Sequence, residues 1–494
     1  MRIYHCASRR RMPSVLLESA SLSPKRGRYS LIATRPFLAM ESRASRITLR
    51  LYGPDRLSFP AQTIQGDPFE ILRRLLKLFA FDAPQPWPPF AGGAVGYVGY
   101  EAKNLIEPRL PQRPKDDPGL PELYFLFFSE GIIADHGSGD LAPDHPTLYL
   151  FTHVPLGKNS RQARQKAERR LEAMEKELGR SLVHAVLPAA RAGRPAPRHF
   201  FPWDGIESSV SRGEFVRQVK TVKRSIQKGD IFQANLSQRF SFQLPGEPLA
   251  VYERLRSINP SAFFGFLDAC DFQIICGSPE RLVKLEEGIL ETRPIAGTRP
   301  RGASPEEDEA LTMELVLNEK ERAEHLMLVD LERNDLGRVS EYGSVCVDEW
   351  MAVENYSHVK HIVSNVRSVL REGLDAVDAL KALFPGGTIT GAPKIRCMEI
   401  LDELEPVARG PYTGSLGYFS FTGNMDFNII IRSLVVRGQT AHLHVGAGIV
   451  ADSSPEEEYD ETLHKAKAVL NAVFGEEDTG DFLRRCGASA VVSG

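Results

Sequence analysis

Residues 454–465, Ser-Pro-Glu-Glu-Glu-Tyr-Asp-Glu-Thr-Leu-His-Lys, form the stretch from which the organisation of this chain is best approached. Ser454 followed by proline predicts a helix start, with Glu457 as the second member of a capping box. Apolar residues recur downstream with helical spacing, so the helix is amphipathic. Glu458 and Glu461 are three positions apart and therefore lie on one face of its first turns.

A second pair of carboxylates, Glu321 and Glu324, repeats this spacing. It falls in a long helical stretch that opens with another capping-box pattern at Ser304. Taken from spacing alone, either pair is more typical of a solvated helix face than of a binding site. Two close carboxylates repel each other unless a cation neutralises them, and two such pairs offer four oxygen ligands to one Mg²⁺.

The overall composition excludes several classes of protein. The chain has 494 residues, 42% hydrophobic and 25% charged, with a net charge of −3. This length predicts two subdomains or one large composite domain, and the charge predicts no nucleic-acid or membrane-surface partner. No apolar run is long enough to cross a bilayer, and no signal peptide is evident at the N-terminus. Six scattered cysteines without a CxxC pair indicate reduced thiols, so we expect a cytoplasmic protein.

Short β-rich segments and helices alternate without strict βαβ order, which predicts an α+β protein. We expect a large two-subdomain sandwich of mainly antiparallel β-sheets with helices. The glycines of Ala91–Tyr100 indicate close backbone packing, and Asn428–Val436 reads as one strand. The predicted segments are a first region at 1–155, a charged helix with a Pro/Ala/Arg-rich linker at 156–200, a main region at 201–475 and a tail at 476–494.

Two glycine-rich stretches superficially match nucleotide-binding motifs. Gly386–Lys394 has the glycine separation of a P-loop, but Ala392 and Pro393 stand where Lys and Ser or Thr are required. Gly446–Ala451 fits a dinucleotide fingerprint, but the following helix starts too late to support a pyrophosphate. Both nucleotide interpretations are rejected, although a glycine-rich strand end still lets a small substrate approach the backbone.

Taken together, residues from about 205 to 475 resemble the chorismate-utilising enzymes. This family includes component I of anthranilate synthase, component I of aminodeoxychorismate synthase, and the isochorismate and salicylate synthases. The matching stretches, in order, are Gly229–Phe240, Ser278–Arg281, Arg293–Gly302, Glu321–His325, Arg333–Arg338, Pro385–Lys394, Gly423–Asp426, Gly446–Asp452 and Glu458–Glu461. The resemblance identifies 201–475 as a chorismate-binding catalytic domain, and the first region resembles the family's regulatory portion.

The resemblance implies roles for particular residues. Glu321, Glu324, Glu458 and Glu461 would surround Mg²⁺, which binds the ring carboxylate of chorismate. The implied substrate contacts are Ile295, Ala296, Gly297, Thr298, His361, Thr390, Tyr412, Arg432, Gly446, Ala447, Gly448 and Lys465. Glu280 would be the general acid for the departing hydroxyl, a role that needs a carboxyl kept protonated by its surroundings. The implied regulatory tryptophan site contains Leu17, Glu18 and Ser19.

Gln233 stands where water-adding members of the family carry a lysine base. Because glutamine cannot deprotonate water at neutral pH, the implied nucleophile is ammonia. The chain lacks the Gly-x-Cys-x-Gly context of a glutamine amidotransferase. A separate glutamine amidotransferase subunit, component II, is therefore the expected partner.

The sequence leaves two alternatives for the ring position at which chorismate is aminated. The stretches Gln233–Leu236 and Asn424–Asn428 look more like aminodeoxychorismate synthase, which aminates C4 for 4-aminobenzoate and folate biosynthesis. Ala296 looks more like anthranilate synthase, which makes anthranilate and pyruvate for tryptophan biosynthesis, because many aminodeoxychorismate synthases have a nucleophilic lysine there. We favour the first alternative. A non-catalytic regulator that binds chorismate or tryptophan would be expected to lose Glu280 or a metal carboxylate, and none is lost.

Overall fold

Two large antiparallel sheets dominate the computed structural model, which describes residues 4, 12–19, 27–53, 60–83, 86–111, 115, 118–137, 146–154, 160–186, 205–355 and 359–486. The strands are β1 Ser14–Glu18, β2 Tyr29–Ala33, β3 Leu38–Arg43, β4 Arg46–Leu51, β5 Gln62–Gln65, β6 Gly93–Val98, β7 Leu123–Phe128, β8 Glu130–Asp135, β9 Thr147–Thr152, β10 Glu207–Ser208, β11 Gln233–Gln243, β12 Phe263–Asp268, β13 Phe272–Ser278, β14 Arg281–Glu286, β15 Ile289–Thr292, β16 Ile295–Pro300, β17 Cys346–Asn355, β18 Val359–Val369, β19 Gly391–Ala392, β20 Ser415–Ser420, β21 Met425–Asn428, β22 Ser433–Arg437 and β23 Thr440–Ile449. The α-helices are α1 Pro68–Leu78, α2 Lys103–Ile106, α3 Ser160–Val186, α4 Arg212–Gln227, α5 Pro248–Ile258, α6 Pro305–Leu317, α7 Glu319–Gly337, α8 Ala376–Leu383, α9 Lys394–Leu404, α10 Pro455–Phe474 and α11 Glu476–Arg485.

Each sheet combines strands from early and late in the chain. The first has the order β10-β11-β23-β22-β13-β12-β1-β2-β8-β9, with β19 paired to β11. The second has the order β16-β18-β15-β14-β21-β20-β6-β7-β3-β4-β5, with β17 paired to β18. The α+β prediction with antiparallel sheets is confirmed. The predicted segment boundaries stay a prediction, and residues 156–159 and 187–200 of the predicted helix-and-linker segment lie outside the described residues.

A core of apolar side chains lies between the two sheets. It contains Val15 and Ile274 from the first sheet, and Val95 and Leu126 from the second. The predicted close packing of the glycines around β6 is confirmed. A Cβ on Gly96 would lie 1.9 Å from the Tyr124 carbonyl oxygen, so only glycine lets these strands approach so closely.

The predicted single strand Asn428–Val436 is wrong. β21 ends at Asn428 in the second sheet and β22 begins at Ser433 in the first, so the chain crosses between the sheets at this point. Ile429 and Ile430 are buried in the crossing, which explains why the apolar run resembles a continuous strand. Arg432 adopts a positive φ of 51° at the end of the crossing.

The helix starts at Pro455 and Pro305 agree with the sequence prediction, but two details of the helices that carry the carboxylate pairs differ from it. The capping box at Ser454 does not form, because its side chain makes no capping hydrogen bond. The neighbouring Ser453 forms the turn instead, accepting a hydrogen bond from the Val450 amide at 3.0 Å. The long stretch after Ser304 divides into α6 and α7 at Asn318, whose side chain accepts from the Glu321 amide at 3.0 Å.

The segment treated as a tail in the sequence begins with α11. Phe482 and Leu483 of this helix are buried. Phe482 packs edge-on against Phe240 of β11, with ring centroids 5.6 Å apart. α11 therefore covers the first sheet next to α10.

Candidate active site

Two neighbouring strands, β11 and β23, form the centre of the candidate site. Asn235 on β11 lies opposite Gly448 on β23. A Cβ on Gly448 would lie 2.9 Å from Gln233 Nε2, and one on Gly446 would lie 2.8 Å from the Tyr412 hydroxyl oxygen. The missing side chains of the glycines therefore let two polar groups approach the backbone of β23.

Lys465 links α10 to this strand pair. Its Nζ donates a hydrogen bond to the Gly446 carbonyl at 3.1 Å and pairs with Glu461 at 2.6 Å. α10 is held in this position because Leu463 and Ala466 are fully buried in the core that contains β11 and β23 residues. The Lys465 side chain is 43% exposed, so its ammonium group is accessible to a ligand.

The carboxylates of α7 approach those of α10. Glu321 accepts a hydrogen bond from Arg299 at 3.1 Å, and Glu324 accepts one from Gln233 at 3.4 Å. Burial raises the pKa of Glu324, and the charges of Glu321 and Glu461 raise it further. Because Glu461 belongs to α10, carboxylates of the two helices are near enough for the charge of one to affect the pKa of the other.

Glu458 has an unsatisfied oxygen in this carboxylate cluster. Burial raises the pKa of Glu458, and the charge of Glu461 acts in the same direction. Its Oε2 is buried and has no hydrogen-bond partner within the described ranges. A buried carboxylate oxygen next to further carboxylates is chemically suited to a cation that prefers oxygen ligands.

The same donors do not form a closed metal site by themselves. Across the described part of the chain, no group of three or more His, Cys, Asp or Glu side chains is close enough to hold a metal ion. Mg²⁺ usually keeps waters and binds through one or two protein carboxylates together with substrate oxygens. The donor chemistry therefore suits an Mg²⁺ ion shared with a substrate, and the metal assignment stays a prediction.

Glu280 lies between β13 and β14, with its side chain held by the loop before α9. Its Oε1 accepts a hydrogen bond from the Thr388 hydroxyl at 2.9 Å. Burial raises the pKa of Glu280 to about 7, against the opposing effects of Thr388, Arg432 and Lys465. A carboxyl with this pKa is protonated in a large fraction of molecules at neutral pH, as a general acid must be.

Arg432 and Glu280 influence each other across the site. Burial lowers the pKa of Arg432, and the charge of Glu280 opposes that shift. Arg432, one of the implied substrate contacts, is therefore near enough to an anionic group, Glu280, to be affected by its charge. The charges of the Arg432 guanidinium and the Lys465 ammonium both lower the pKa of Glu280.

The predicted substrate contacts on β16 and β18 lie beside α7. The Gly297 carbonyl is 3.0 Å from His361 Nδ1. Gly297 has a φ of +64°, and a Cβ there would lie 3.0 Å from Glu321 Oε2. A glycine is therefore required both by the backbone conformation and by the carboxylate next to it.

For most of the other predicted substrate contacts, the strand pairing shows where the backbone of the residue lies. Ile295 and Ala296 lie opposite Val363 and Ile362 on β18, and Thr298 lies opposite His361. Ala447 is fully buried opposite Leu236. The fully buried Thr390 hydroxyl donates to the Gly386 carbonyl at 2.8 Å and so turns back to its own loop.

The predicted regulatory residues lie apart from the carboxylate cluster. Leu17 and Glu18 line a cavity of about 310 Å³, together with Arg28, Phe263 and Tyr418 among others. Glu18 accepts a hydrogen bond from the Tyr252 hydroxyl at 2.6 Å. Ser19 is buried next to Glu18. The tryptophan role of these residues stays a prediction.

A buried group of charged residues behind Glu280 was missed in the sequence. Glu332 of α7 accepts from the Thr292 hydroxyl at 3.2 Å, and Asp335 pairs with Lys394 at the start of α9. Burial raises the pKa of Glu332 to about 8, and the charges of Asp335 and Glu280 add to this effect. The sequence signals were that Asp335 falls in the matching stretch Arg333–Arg338 and that Lys394 ends the Gly386–Lys394 loop.

Comparison with known proteins now decides the family. The model of the chorismate binding enzymes matches residues 34–471. The chain belongs to the chorismate-binding enzymes. It is 44% identical over 466 residues to aminodeoxychorismate synthase component 1 of Bacillus subtilis, which covers 94% of this chain and 93% of that protein. It is 41% identical over 470 residues to anthranilate synthase component 1 of Acetivibrio thermocellus, covering 94% and 90%.

A solved structure supports the same assignment at the level of the fold. Anthranilate synthase component I from Streptococcus pneumoniae is 36% identical, with a TM-score of 0.73 over 91% of this chain and 93% of that one. The predicted family and fold of this chorismate-binding enzyme are therefore confirmed. Among its described helices, none is long and apolar enough to cross a membrane.

Proposed function

We propose that this chorismate-binding enzyme is an aminodeoxychorismate synthase component I. It would replace the C4 hydroxyl of chorismate with an amino group from ammonia and retain the enolpyruvyl group. The relative from Bacillus subtilis with 44% identity supports this choice. So does the strand sequence Gln233–Leu236, in which Asn235 lies beside the glycine-rich backbone of β23.

Amination, as opposed to hydration, is supported by one observation above all. The side chain that contacts Glu324 at the start of β11 is the amide of Gln233. An amide does not accept a proton from water at neutral pH, whereas ammonia is a nucleophile without such help. The site therefore suits a nucleophile that needs no protein base.

Substrate binding would use the charges that surround Glu280. Lys465 and Arg432 offer cationic groups to the carboxylates of chorismate. Mg²⁺ would be held by Glu458 and Glu461 on one helix and by Glu321 and Glu324 on the other. When bound, the ion would neutralise these carboxylates and attract a carboxylate of the substrate. Glu280 would then give its proton to the departing hydroxyl, which leaves as water.

The source of ammonia would be a separate glutamine amidotransferase subunit. The relatives are named as component 1 of their synthases, which supports a second component for this chain as well. Free ammonium salt at high concentration would replace that subunit in a test of the isolated chain.

Anthranilate synthase component I is the second candidate. Ala296 is a buried methyl group on β16, so this position offers no amine to form a covalent bond with the substrate. The 36% identity to anthranilate synthase component I from Streptococcus pneumoniae also favours this candidate. If the C4 product forms, it must form without a covalent intermediate at residue 296.

One assay separates the two candidates. The purified chain is incubated with chorismate, Mg²⁺ and ammonium salt, and the products are identified by mass spectrometry and fluorescence. We expect aminodeoxychorismate, which added lyase converts to 4-aminobenzoate. Anthranilate with release of pyruvate would refute the proposal in favour of the second candidate, and no consumption of chorismate would refute both.

A further inference from the structure

The hydroxyl of Thr388 contacts the carboxyl that we assign as the general acid. It donates to Oε1 of Glu280 at 2.9 Å. A threonine hydroxyl has only one proton to donate, and here it is directed to one of the two carboxyl oxygens. Since Oε1 is the acceptor of this bond, the acidic proton of neutral Glu280 belongs on Oε2.

The turn that carries Thr388 is tightly fixed. A Cβ on the adjacent Gly387 would lie 2.0 Å from a methyl carbon of Leu331, so α7 packs directly on the turn. At the far end of the loop, Lys394 pairs with the buried Asp335 and donates to the Leu383 carbonyl at 3.1 Å. A buried ion pair and a close helix contact thus hold the loop at both ends.

We propose that Thr388 is a positioning residue, held in place by the Lys394–Asp335 ion pair, that keeps the acidic proton of Glu280 on Oε2, facing the substrate. This inference rests on the proposed function, because it assigns a supporting residue to the same general acid. In this proposal Thr388 acts through Glu280, which its hydroxyl contacts, and not by binding the substrate.

The proton step balances with Thr388 as a fixed donor. The Oε2–H bond of Glu280 breaks, and its proton goes to the leaving hydroxyl oxygen, which takes the electron pair of the C–O bond and departs as water. Ammonia forms the new C–N bond, and the proton that its nitrogen loses returns to the Glu280 carboxylate. While Glu280 is ionised between these two proton transfers, the Thr388 hydroxyl stabilises the negative charge on Oε1.

The charged groups around Glu280 determine the sign of the pH effect. Arg432 after β21 and Lys465 on α10 lower the pKa of Glu280, as does the hydrogen bond from Thr388. On the α7 side, Glu332 responds to the charge of Glu280. Loss of the Thr388 hydrogen bond therefore raises the pKa of Glu280 above about 7.

The test compares Thr388→Val with Thr388→Ser in the full-length chain, assayed with chorismate, Mg²⁺ and ammonium salt. We expect Thr388→Val to lower kcat by roughly 10- to 100-fold, because the proton donor is no longer oriented. The alkaline limb of its kcat profile should move to higher pH, since the acid stays protonated longer. KM for chorismate should stay within about twofold, and Thr388→Ser should restore kcat and the alkaline limb.

The matched control is Thr292→Val. It removes a threonine–glutamate hydrogen bond in the same buried region, but the acceptor is Glu332. We expect its alkaline limb to coincide with that of the unaltered protein. The proposal is overturned if Thr388→Val keeps the original kcat and the original alkaline limb of the kcat profile. It is also overturned if kcat of Thr388→Val falls while the alkaline limb does not move, or if Thr292→Val moves the alkaline limb by the same amount.

A second readout needs no turnover and so separates this inference from the proposed function. Infrared difference spectra of the substrate-free protein, taken between acid and alkaline pH, should contain a carboxyl C=O band that Glu280→Gln removes. Thr388→Val should shift this band to higher frequency, because Oε1 loses its donor. An unshifted band refutes the inference even if amination is observed, whereas a shifted band in a chain that does not aminate chorismate refutes only the proposed function.

Discussion

Replacement of Glu332 by glutamine should change how the stability of the protein depends on pH. Glu332 is 4% exposed, and its pKa is raised from 4.5 to about 8 by burial and by neighbouring carboxylates. Between these two pH values the folded chain holds a proton that the unfolded chain has released. The contribution of Glu332 to the free energy of unfolding is therefore fully present below about pH 4.5, and it is lost as the pH rises to about 8.

The magnitude follows from the size of this window. Each pH unit within it lowers the free energy of unfolding by about 1.4 kcal/mol for one proton. From pH 6 to pH 8, Glu332 should account for a loss on the order of 2 kcal/mol. Glu332→Gln is neutral at every pH and can still accept from Thr292, so its advantage over the original protein should appear above about pH 4.5 and should grow by about 2 kcal/mol between pH 6 and pH 8.

Urea unfolding followed by the fluorescence of the chain's 3 tryptophans provides the measurement, with midpoints recorded at pH 6, 7 and 8. Asp330→Asn is the control, because Asp330 is on the same helix with a side chain that is 75% exposed. Its midpoints should decline in parallel with those of the original protein. If Glu332→Gln shows that same decline, the proton on Glu332 is not what links stability to pH.

Three further predictions concern the candidate site. Glu280→Gln should lower kcat by about 10²- to 10⁴-fold while chorismate still binds, as measured by equilibrium dialysis; retained turnover would contradict a general acid at this position. Glu461→Gln should abolish activity and weaken the response to Mg²⁺ in a titration, and near-normal turnover would refute the metal assignment. Gly297→Ala should destabilise the chain by about 1–2 kcal/mol and raise KM, because φ is +64° and the added Cβ would lie 2.8 Å from Leu315; unchanged thermal unfolding and KM would contradict this.

Much of the fold could be predicted from the sequence, because local sequence patterns determine it. The charged helix α3, the helix starting at Pro455 and the glycine-dependent packing of β6 all follow from periodicity, proline placement and side-chain size. The crossing between the sheets after Asn428 could not be predicted from the sequence. An apolar run has the same sequence pattern whether it continues one strand or passes between two sheets, and only the tertiary pairing distinguishes them.

The candidate site, like the fold, could be predicted from the sequence only in part. The carboxylate pairs were recognised by their spacing, which is a property of single helices. The contact of Glu324 with Gln233, and that of Glu280 with Thr388, join residues far apart in the chain. Periodicity contains no information about such pairs. The capping box at Ser454 failed because Ser453, with the same chemistry one position earlier, forms the turn instead.

The position of β1 has a consequence for the synthesis of the chain. Its residue Ser14 lies opposite Asp268 of β12, and Leu17 lies opposite Gly265. On the ribosome, β1 is therefore made long before its neighbour exists, and one of its edges stays unpaired in the meantime. An apolar strand with a free edge is prone to pair with other chains. Nascent chains of this protein should accordingly depend on chaperones until β12 has emerged, and slower translation before residue 263 should increase aggregation.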